Sequence, residues 1–284
     1  MQLPLDKICG RVRSLAEKTG AFIQQQRGQI RLSDVETKSM NSFVTYVDKE
    51  SEKRLVKGLK KILPGSGFIT EEETISNERK KYTWIIDPLD GTTNFIHGLP
   101  CYCISIGLYL SPAGARPDEP FGRGGRGRDS GEVILGVIYE PNTREMFHAV
   151  KSGGAFLNGN KISVTSRKKL KDSLLVTGFP TYDYSRMNEY IELFRYLMRN
   201  TRGLRRMGSA AVDLAYVACG RFDAFYEYSL NPWDVAAGAL IVREAGGKVS
   251  DFSGKDNWLF GKEIIASNTH THKELVKAVK NFFD

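Results

Sequence analysis

Asp87 and Asp90 bracket Pro88-Leu89, and Gly91-Thr92-Thr93-Asn94 follows at once. Two carboxylates this close together suit a hard divalent cation, which prefers oxygen donors. The apolar run Trp84-Ile85-Ile86 ahead of them reads as a buried strand. Pro88 predicts the end of that strand, because proline cannot continue a central strand and holds its predecessor extended. The strand would then present Asp87 at its terminus. Gly91 permits a tight backbone path, and Thr92, Thr93 and Asn94 suit a first helical turn. Free N–H groups and a partial positive charge there would receive a phosphate. A surface Asx turn with no ligand uses the same residue types.

Two further acidic positions join this stretch. Glu71-Glu72-Glu73 follows the strand-like residues 67–70. An acidic triplet by itself is a solvated loop, but two neighbouring strands ending at one edge would bring Glu71 beside Asp87 and Asp90. In Asn231-Pro232-Trp233-Asp234, Asp234 precedes the apolar run 235–242 and reads as a helix N-cap, worth about 1 kcal/mol. Capping and ligation are compatible, since one oxygen can accept from the backbone while the other binds a metal. Asp234 lies far along the chain from Asp87, as expected if two halves close over a shared site.

The elements that must position these residues are legible from periodicity. Leu5, Ile8, Val12, Leu15, Ala16, Phe22 and Ile23 have helical spacing, up to about Gln26. Residues 42–47 read as a short strand, with Asp48 capping a helix that Pro64-Gly65 ends. Residues 101–110, 133–140, 146–150, 154–157 and 161–164 read as strands, with Asn158-Gly159 as a hairpin turn. Beyond Arg167, strands at 174–176, 203–207, 222–228 and 264–266 alternate with helices at 188–198, 209–219 and 234–245 and a terminal helix to Phe283. This divides the chain into an antiparallel α+β half, 1–166, and an α/β half, 167–284. Residues 111–131 hold one aromatic and no aliphatic side chain larger than alanine, so they read as a flexible Gly/Arg-rich excursion from a hairpin. Arg123, Arg126 and Arg128 could touch nucleic acid, though a single Phe and no repeat give that little support.

Composition narrows the class. With 284 residues, 41% hydrophobic and 26% charged, the chain is a soluble globular protein of one or two domains. No stretch is long and apolar enough to cross a bilayer, and the N-terminus has no signal-peptide core, which predicts a cytoplasmic location. Cys9, Cys101, Cys103 and Cys219 match no zinc pattern. With Cys101 and Cys103 on one face of a strand, they read as reduced core thiols. The net charge of +8 would help attract anionic ligands, or would simply solvate the surface. The four histidines, His97, His148, His270 and His272, are scattered and read as structural or solvated.

Asp87-Pro88-Leu89-Asp90-Gly91-Thr92-Thr93-Asn94-Phe95, with Glu71-Glu72 before it and Trp233-Asp234-Val235-Ala236-Ala237-Gly238 after it, resembles the inositol monophosphatase family. That family belongs to the magnesium-dependent, lithium-sensitive phosphatase superfamily shared with fructose-1,6-bisphosphatase. The similarity runs from roughly Leu5 to the C-terminus, leaving out the Gly/Arg-rich excursion. It implies a layered αβαβα sandwich of mixed α+β and α/β character. It also implies a homodimer that takes a small phosphorylated polyol or sugar, with no membrane partner, and two or three Mg²⁺ per active site.

Carried over residue by residue, the resemblance makes Glu71, Asp87, the Leu89 carbonyl, Asp90 and Asp234 the metal ligands, all oxygen donors. Glu71 and Thr92 would hold the attacking water as catalytic residues, Asp48 would pair with Thr92, and Lys38 would lie near the metals. Gly91, Thr92 and Thr93 would meet the phosphate. Glu71, Leu89, Asp90 and Asp234 would border the bound substrate, together with Gly208, Ser209 and Ala210. Arg205 and Glu227 complete the implied pocket, Glu227 against ring hydroxyls. A surface or interface salt bridge is the plain alternative for Arg205, and an exposed strand position for Glu227. The implied reaction is hydrolysis of inositol 1-phosphate by water activated between Mg²⁺ ions ~4 Å apart. Fructose-1,6-bisphosphatase, histidinol-phosphatase and 3′-phosphoadenosine nucleotidase activities are the rivals, and an added role in binding RNA or a transcription complex is the alternative of another class.

Overall fold

Helix α1 (Leu5–Gln26) turns Ile8, Val12, Ala16 and Ile23 inward, and α2 (Tyr46–Ile62) does the same with Leu55, Val56 and Leu59. These apolar stripes pack on one face of a seven-stranded sheet, against Trp84, Ile86, Ile104 and Val137. The computed structural model describes residues 3–30, 35–39, 42–112 and 131–283. The sheet runs in chain order: β3 (Gly67–Thr70), β4 (Tyr82–Asp90), β5 (Cys103–Leu110), β6 (Glu132–Glu140), β7 (Glu145–Val150), β8 (Gly154–Leu157) and β9 (Asn160–Lys161). Only β3 and β4 are parallel; the other neighbours are antiparallel. A short antiparallel pair, β1 (Val35–Ser39) and β2 (Ser42–Thr45), leads into α2.

The second sheet comprises β10 (Leu174–Thr177), β11 (Gly203–Arg205), β12 (Ala224–Tyr228), β13 (Gly247–Ser250) and β14 (Glu263–Asn268), in the order β11-β10-β12-β14-β13. Between the sheets lie α5 (Ala210–Ala218) and α6 (Pro232–Glu244), which are almost wholly apolar, as helices covered on both sides must be. They join Ile85 and Phe147 of one sheet to Val176, Phe225 and Ile264 of the other in a single core. The amphipathic α4 (Met187–Asn200) and α7 (His272–Phe283) cover the outer face. The stack is therefore α-β-α-β-α, the expected layered sandwich. Close approach sets the position of α6. A Cβ on Gly136 would stand 2.7 Å from the Ala237 carbonyl, and one on Gly107 would stand 3.0 Å from the Ala236 Cβ.

Several local expectations are corrected. β4 does not stop at Asp87: it runs through Pro88 to Asp90, and its pairing with β5 slips between Asp87↔Ser105 and Asp90↔Cys103. That slip is a β-bulge, one of the few places where a strand accommodates proline. β5 begins only at Cys103, because Cys101 is left-handed (φ 68), so the two thiols do not share a strand face. Residues 162–164 lie outside the strands, and β13 is a strand that the expected alternation did not include. Neither Asp48 nor Asp234 is an N-cap. Thr45 and Asn231 take that position, and each aspartate is the N3 partner of a capping box. All four cysteines are free, with Cys9 and Cys103 buried.

Candidate active site

The β4 bulge decides where the carboxylates point. Residues three apart on a regular strand face opposite ways; the extra residue between Asp87 and Asp90 brings both to one side. The Asp87 carboxylate accepts from the Leu89 N–H at 2.9 Å, closing the bulge on itself. β3 lies parallel to β4 with Thr70 opposite Ile86, so Glu71 emerges beside Asp87, its N–H 3.3 Å from the Ile86 carbonyl. The acidic triplet is more than a solvated loop. Buried Glu52 of α2 accepts from the Glu72 N–H at 2.8 Å and from the Thr74 N–H at 2.7 Å.

The second half of the chain delivers its residues from two helix N-termini. Asp234 spends one oxygen on the Asn231 N–H at 2.7 Å. The first turn of α6 is fixed over the first sheet by Ser105, whose hydroxyl donates to the Trp233 carbonyl at 3.2 Å. Because Ser105 pairs with Asp87, Asp234 lands beside the β4 carboxylates. Ser209 caps α5, and Asp90 closes the same turn by accepting from the Ser209 hydroxyl and the Ala211 N–H, both at 2.7 Å. Asn94 ties the two halves again, donating to the carbonyls of Cys101 at 2.8 Å and Met207 at 2.9 Å.

Gly91 is required at the start of the five-residue helix α3 (Thr92–Ile96). Its φ is 94°, and a Cβ would meet the Cys101 carbonyl at 2.8 Å. Thr92 Oγ1 then stands 2.9 Å from Asp48 Oδ1 and 3.0 Å from the Leu89 carbonyl. The opposite oxygen of Asp48 accepts from the Thr45 N–H at 2.8 Å and the Thr45 hydroxyl at 2.6 Å.

These groups border one cleft of about 340 Å³. Glu71, Asp87, Leu89, Asp90, Gly91, Thr92, Thr93, Gly208, Ser209, Ala210, Glu227 and Asp234 all line it. Asp48 stands behind Thr92, one hydrogen bond from the wall. The Lys38 side chain lies outside the described residues. Arg205 is not on the wall: it is exposed at the end of β11, with its guanidinium on the Leu204 carbonyl. Its neighbour Arg206 lines the cleft instead, over the Phe179 ring at 5.2 Å, because β11 ends at Arg205 and the chain turns there. Adjacent arginines are indistinguishable in sequence until the strand end is known. Asp213 and the rim residues Phe179 and Tyr182 went unrecognised. An acid inside the otherwise apolar helix Ala210–Ala218 was the available signal for the first.

The electrostatics are those of crowded, buried carboxylates. Asp87 and Asp234 are held well above the usual carboxylate range by burial and then by the charges of Glu71 and Asp90, with Asp234 adding to the shift at Asp87. The Glu71 side chain beside Asp87 pushes it in the same direction. Asp90 is raised to about 6, burial outweighing its bonds from Ser209 and Ala211. Asp48 is raised to about 6 and Glu227 to about 8, again chiefly by burial. Arg206 is the one basic side chain on the cleft wall among the described residues, and it opposes these shifts at Asp90, Asp213 and Glu227.

Among the described residues, no three Asp, Glu, His or Cys side chains are drawn into a ready-made cation cage. Mg²⁺ does not need one. It keeps several waters and is typically held by one or two carboxylates plus substrate phosphate oxygens. An all-oxygen wall of mutually repelling carboxylates therefore fits Mg²⁺, and the lack of Cys or His on the wall argues against zinc. No helix among the described residues is long and apolar enough to cross a membrane.

The family model described as "Inositol monophosphatase family" matches residues 6–114 and 128–282. The gap falls within the Gly/Arg-rich excursion. A curated relative from Mesorhizobium japonicum, named inositol-1-monophosphatase, is 37% identical over 266 residues, covering 93% of each chain. One from Pseudomonas aeruginosa, named Nus factor SuhB, is 39% identical over 270 residues with the same coverage. Among solved structures, the extragenic suppressor protein suhB of Bartonella henselae is 37% identical with a TM-score of 0.83, over 95% of this chain and 97% of that one. The Thermotoga maritima IMPase is 35% identical with a TM-score of 0.80, over 95% of each.

Proposed function

Since the chain belongs to the inositol monophosphatase family, we propose that it hydrolyses inositol 1-phosphate to inositol and phosphate with Mg²⁺. One observation carries the reading: Asp234, from the C-terminal half, shares a single cleft with Glu71, Asp87 and Asp90. Glu71, Asp87, the Leu89 carbonyl, Asp90 and Asp234 would hold two or three Mg²⁺. Bound there, the cations would acidify water and neutralise charge on the phosphate and the departing oxygen. Thr92 donates its hydroxyl proton to Asp48 Oδ1, leaving its lone pairs to accept from the attacking water. Asp48, raised to about 6, is ionised at neutral pH and keeps that hydroxyl oriented. The N–H groups near Gly91, Thr92 and Thr93 receive the phosphate, and Glu227 accepts from the alcohol's hydroxyls. The enzyme works as a cytoplasmic homodimer, a state that sedimentation would check.

A panel of phosphate-release assays tests this, with and without Mg²⁺ and with added Li⁺. The panel would include inositol 1-phosphate, fructose 1,6-bisphosphate, histidinol phosphate and 3′-phosphoadenosine 5′-phosphate. The expected result is a Mg²⁺-dependent, Li⁺-inhibited rate dominated by the inositol ester. A dominant rate on the adenine nucleotide would overturn the substrate. The name of the Pseudomonas aeruginosa relative favours a second role, in transcription, added to the first. Such a role predicts a salt-sensitive shift with RNA that is lost on removing the Gly/Arg-rich excursion. Failure to bind RNA at low salt would rule out RNA as the contact.

A further inference from the structure

Asp213 has no part in the chemistry above, yet it is the cleft residue whose position is hardest to explain. Its side chain is 1% exposed, it lines the cleft, and its Oδ1 has no hydrogen-bond partner among the described residues. Buried polar atoms are nearly always paired, and leaving one unpaired costs about 1–3 kcal/mol. The helix that carries Asp213 does not account for it. Ser209 caps α5 and accepts from the Val212 N–H, while the Ala211 N–H goes to Asp90. Nor does its charge find an easy home: Glu227 and Asp90 nearby repel it, and Arg206, which attracts it, lies over Phe179. What Oδ1 lacks, among the described residues, is a donor.

We propose that Asp213 is a substrate-binding residue, forming with Glu227 the floor of a subsite for the hydroxyl groups of a compact polyol, the alcohol half of the ester. The inference rests on the phosphomonoesterase reading of this cleft. Two carboxyls side by side offer acceptors to neighbouring O–H groups. Thr92 and Thr93, which would meet the phosphate, line the same cleft. A cleft of about 340 Å³ is at the small end for ligand sites, matching a single hydroxylated ring rather than a nucleotide. Phe179 and Arg206 on the rim would cover the ring's outer face.

The test compares two esters in the holoenzyme with Mg²⁺: inositol 1-phosphate, and phenyl phosphate, whose leaving group carries no further hydroxyl. Asp213→Ala should raise KM for the inositol ester by roughly 10–100-fold, with kcat within about threefold. The loss in kcat/KM on phenyl phosphate should be at least about tenfold smaller. Asp213→Asn keeps the shape and one acceptor, so it should restore most of the KM. If the alanine variant does not fold, the asparagine variant should still penalise the inositol ester at least about threefold more than phenyl phosphate. Equal losses on both esters, or an unchanged KM for the inositol ester, would make Asp213 a structural acid and overturn the proposal. A wild-type enzyme that releases phosphate from neither ester would defeat the phosphatase reading instead.

Discussion

Thr45→Val changes one hydroxyl and almost no shape, and the structure gives that hydroxyl two tasks. It caps α2 by accepting from the Val47 N–H at 3.1 Å, and it donates to Asp48 Oδ2 at 2.6 Å. Losing the cap costs about 1 kcal/mol. Losing a hydrogen bond to a buried charged group costs about 1.5–3 kcal/mol. Stability to urea should therefore fall by about 2–4 kcal/mol. The second bond also bears on proton affinity. The Thr45 contacts hold Asp48 down against burial, which leaves it at about 6. Removing one should raise it by about 1–2 pH units, to roughly 7–8. Asp48 must be ionised to accept from Thr92, so the acid limb of kcat should move up by the same interval. Activity should drop about tenfold near pH 6.5 and largely return by about pH 9, with KM unchanged. The assay is Mg²⁺-dependent phosphate release from pH 5.5 to 9.5. An acid limb that stays in place, or a kcat lowered equally at every pH, would refute the reasoning.

Two other outcomes follow from the structure. His272 is 3% exposed between Ser267, 2.8 Å from Nδ1, and Ser250, 3.0 Å from Nε2, and burial keeps it neutral down to about 4. The unfolded chain takes up that proton near pH 6.5, so the stability from His272 is full above about 6.5 and is lost as pH falls towards 4. The loss amounts to about 3 kcal/mol, read as the difference in urea stability between wild type and His272→Asn, since the raised carboxylates slope the other way. β5 and β6 pair Leu110 with Glu132, so the ends of the excursion already sit side by side. Replacing residues 113–130, which lie outside the described residues, with a short Asn-Gly turn should leave phosphate release within about twofold and should abolish any RNA shift.

Chain reading recovered most of the helices and strands from their periods, while the layered sandwich was implied by the family resemblance. α1 and α2 show one apolar stripe each, and α5 and α6 show none because they are buried between two sheets. Local detail was harder where two rules compete. Pro88 signals a strand end, yet β-bulge geometry absorbs it, and that geometry turns Asp87 and Asp90 to one side. Asp48 and Asp234 looked like caps because aspartate suits both cap and N3 positions. The identity of Thr45 and Asn231 three residues earlier distinguishes the two. Arg206 could not be separated from Arg205 without knowing where β11 ends. Asp213 was overlooked because one acid in a helix reads as a solvated position until both flanking sheets are in place.

The central claim is that a carboxylate from the end of one half completes a cation site built on the other. Asp234→Asn tests it most directly, because asparagine can still accept from the Asn231 N–H and keep the start of α6 intact. Phosphate release from inositol 1-phosphate and thermal unfolding would both be followed across a Mg²⁺ titration. The account predicts a folded variant whose rate falls by more than the ~10–100-fold typical of losing an outer partner of a metal site, and whose unfolding temperature no longer rises with Mg²⁺ as the wild type's does. A folded variant that keeps the wild-type rate and the wild-type response to Mg²⁺ would contradict it.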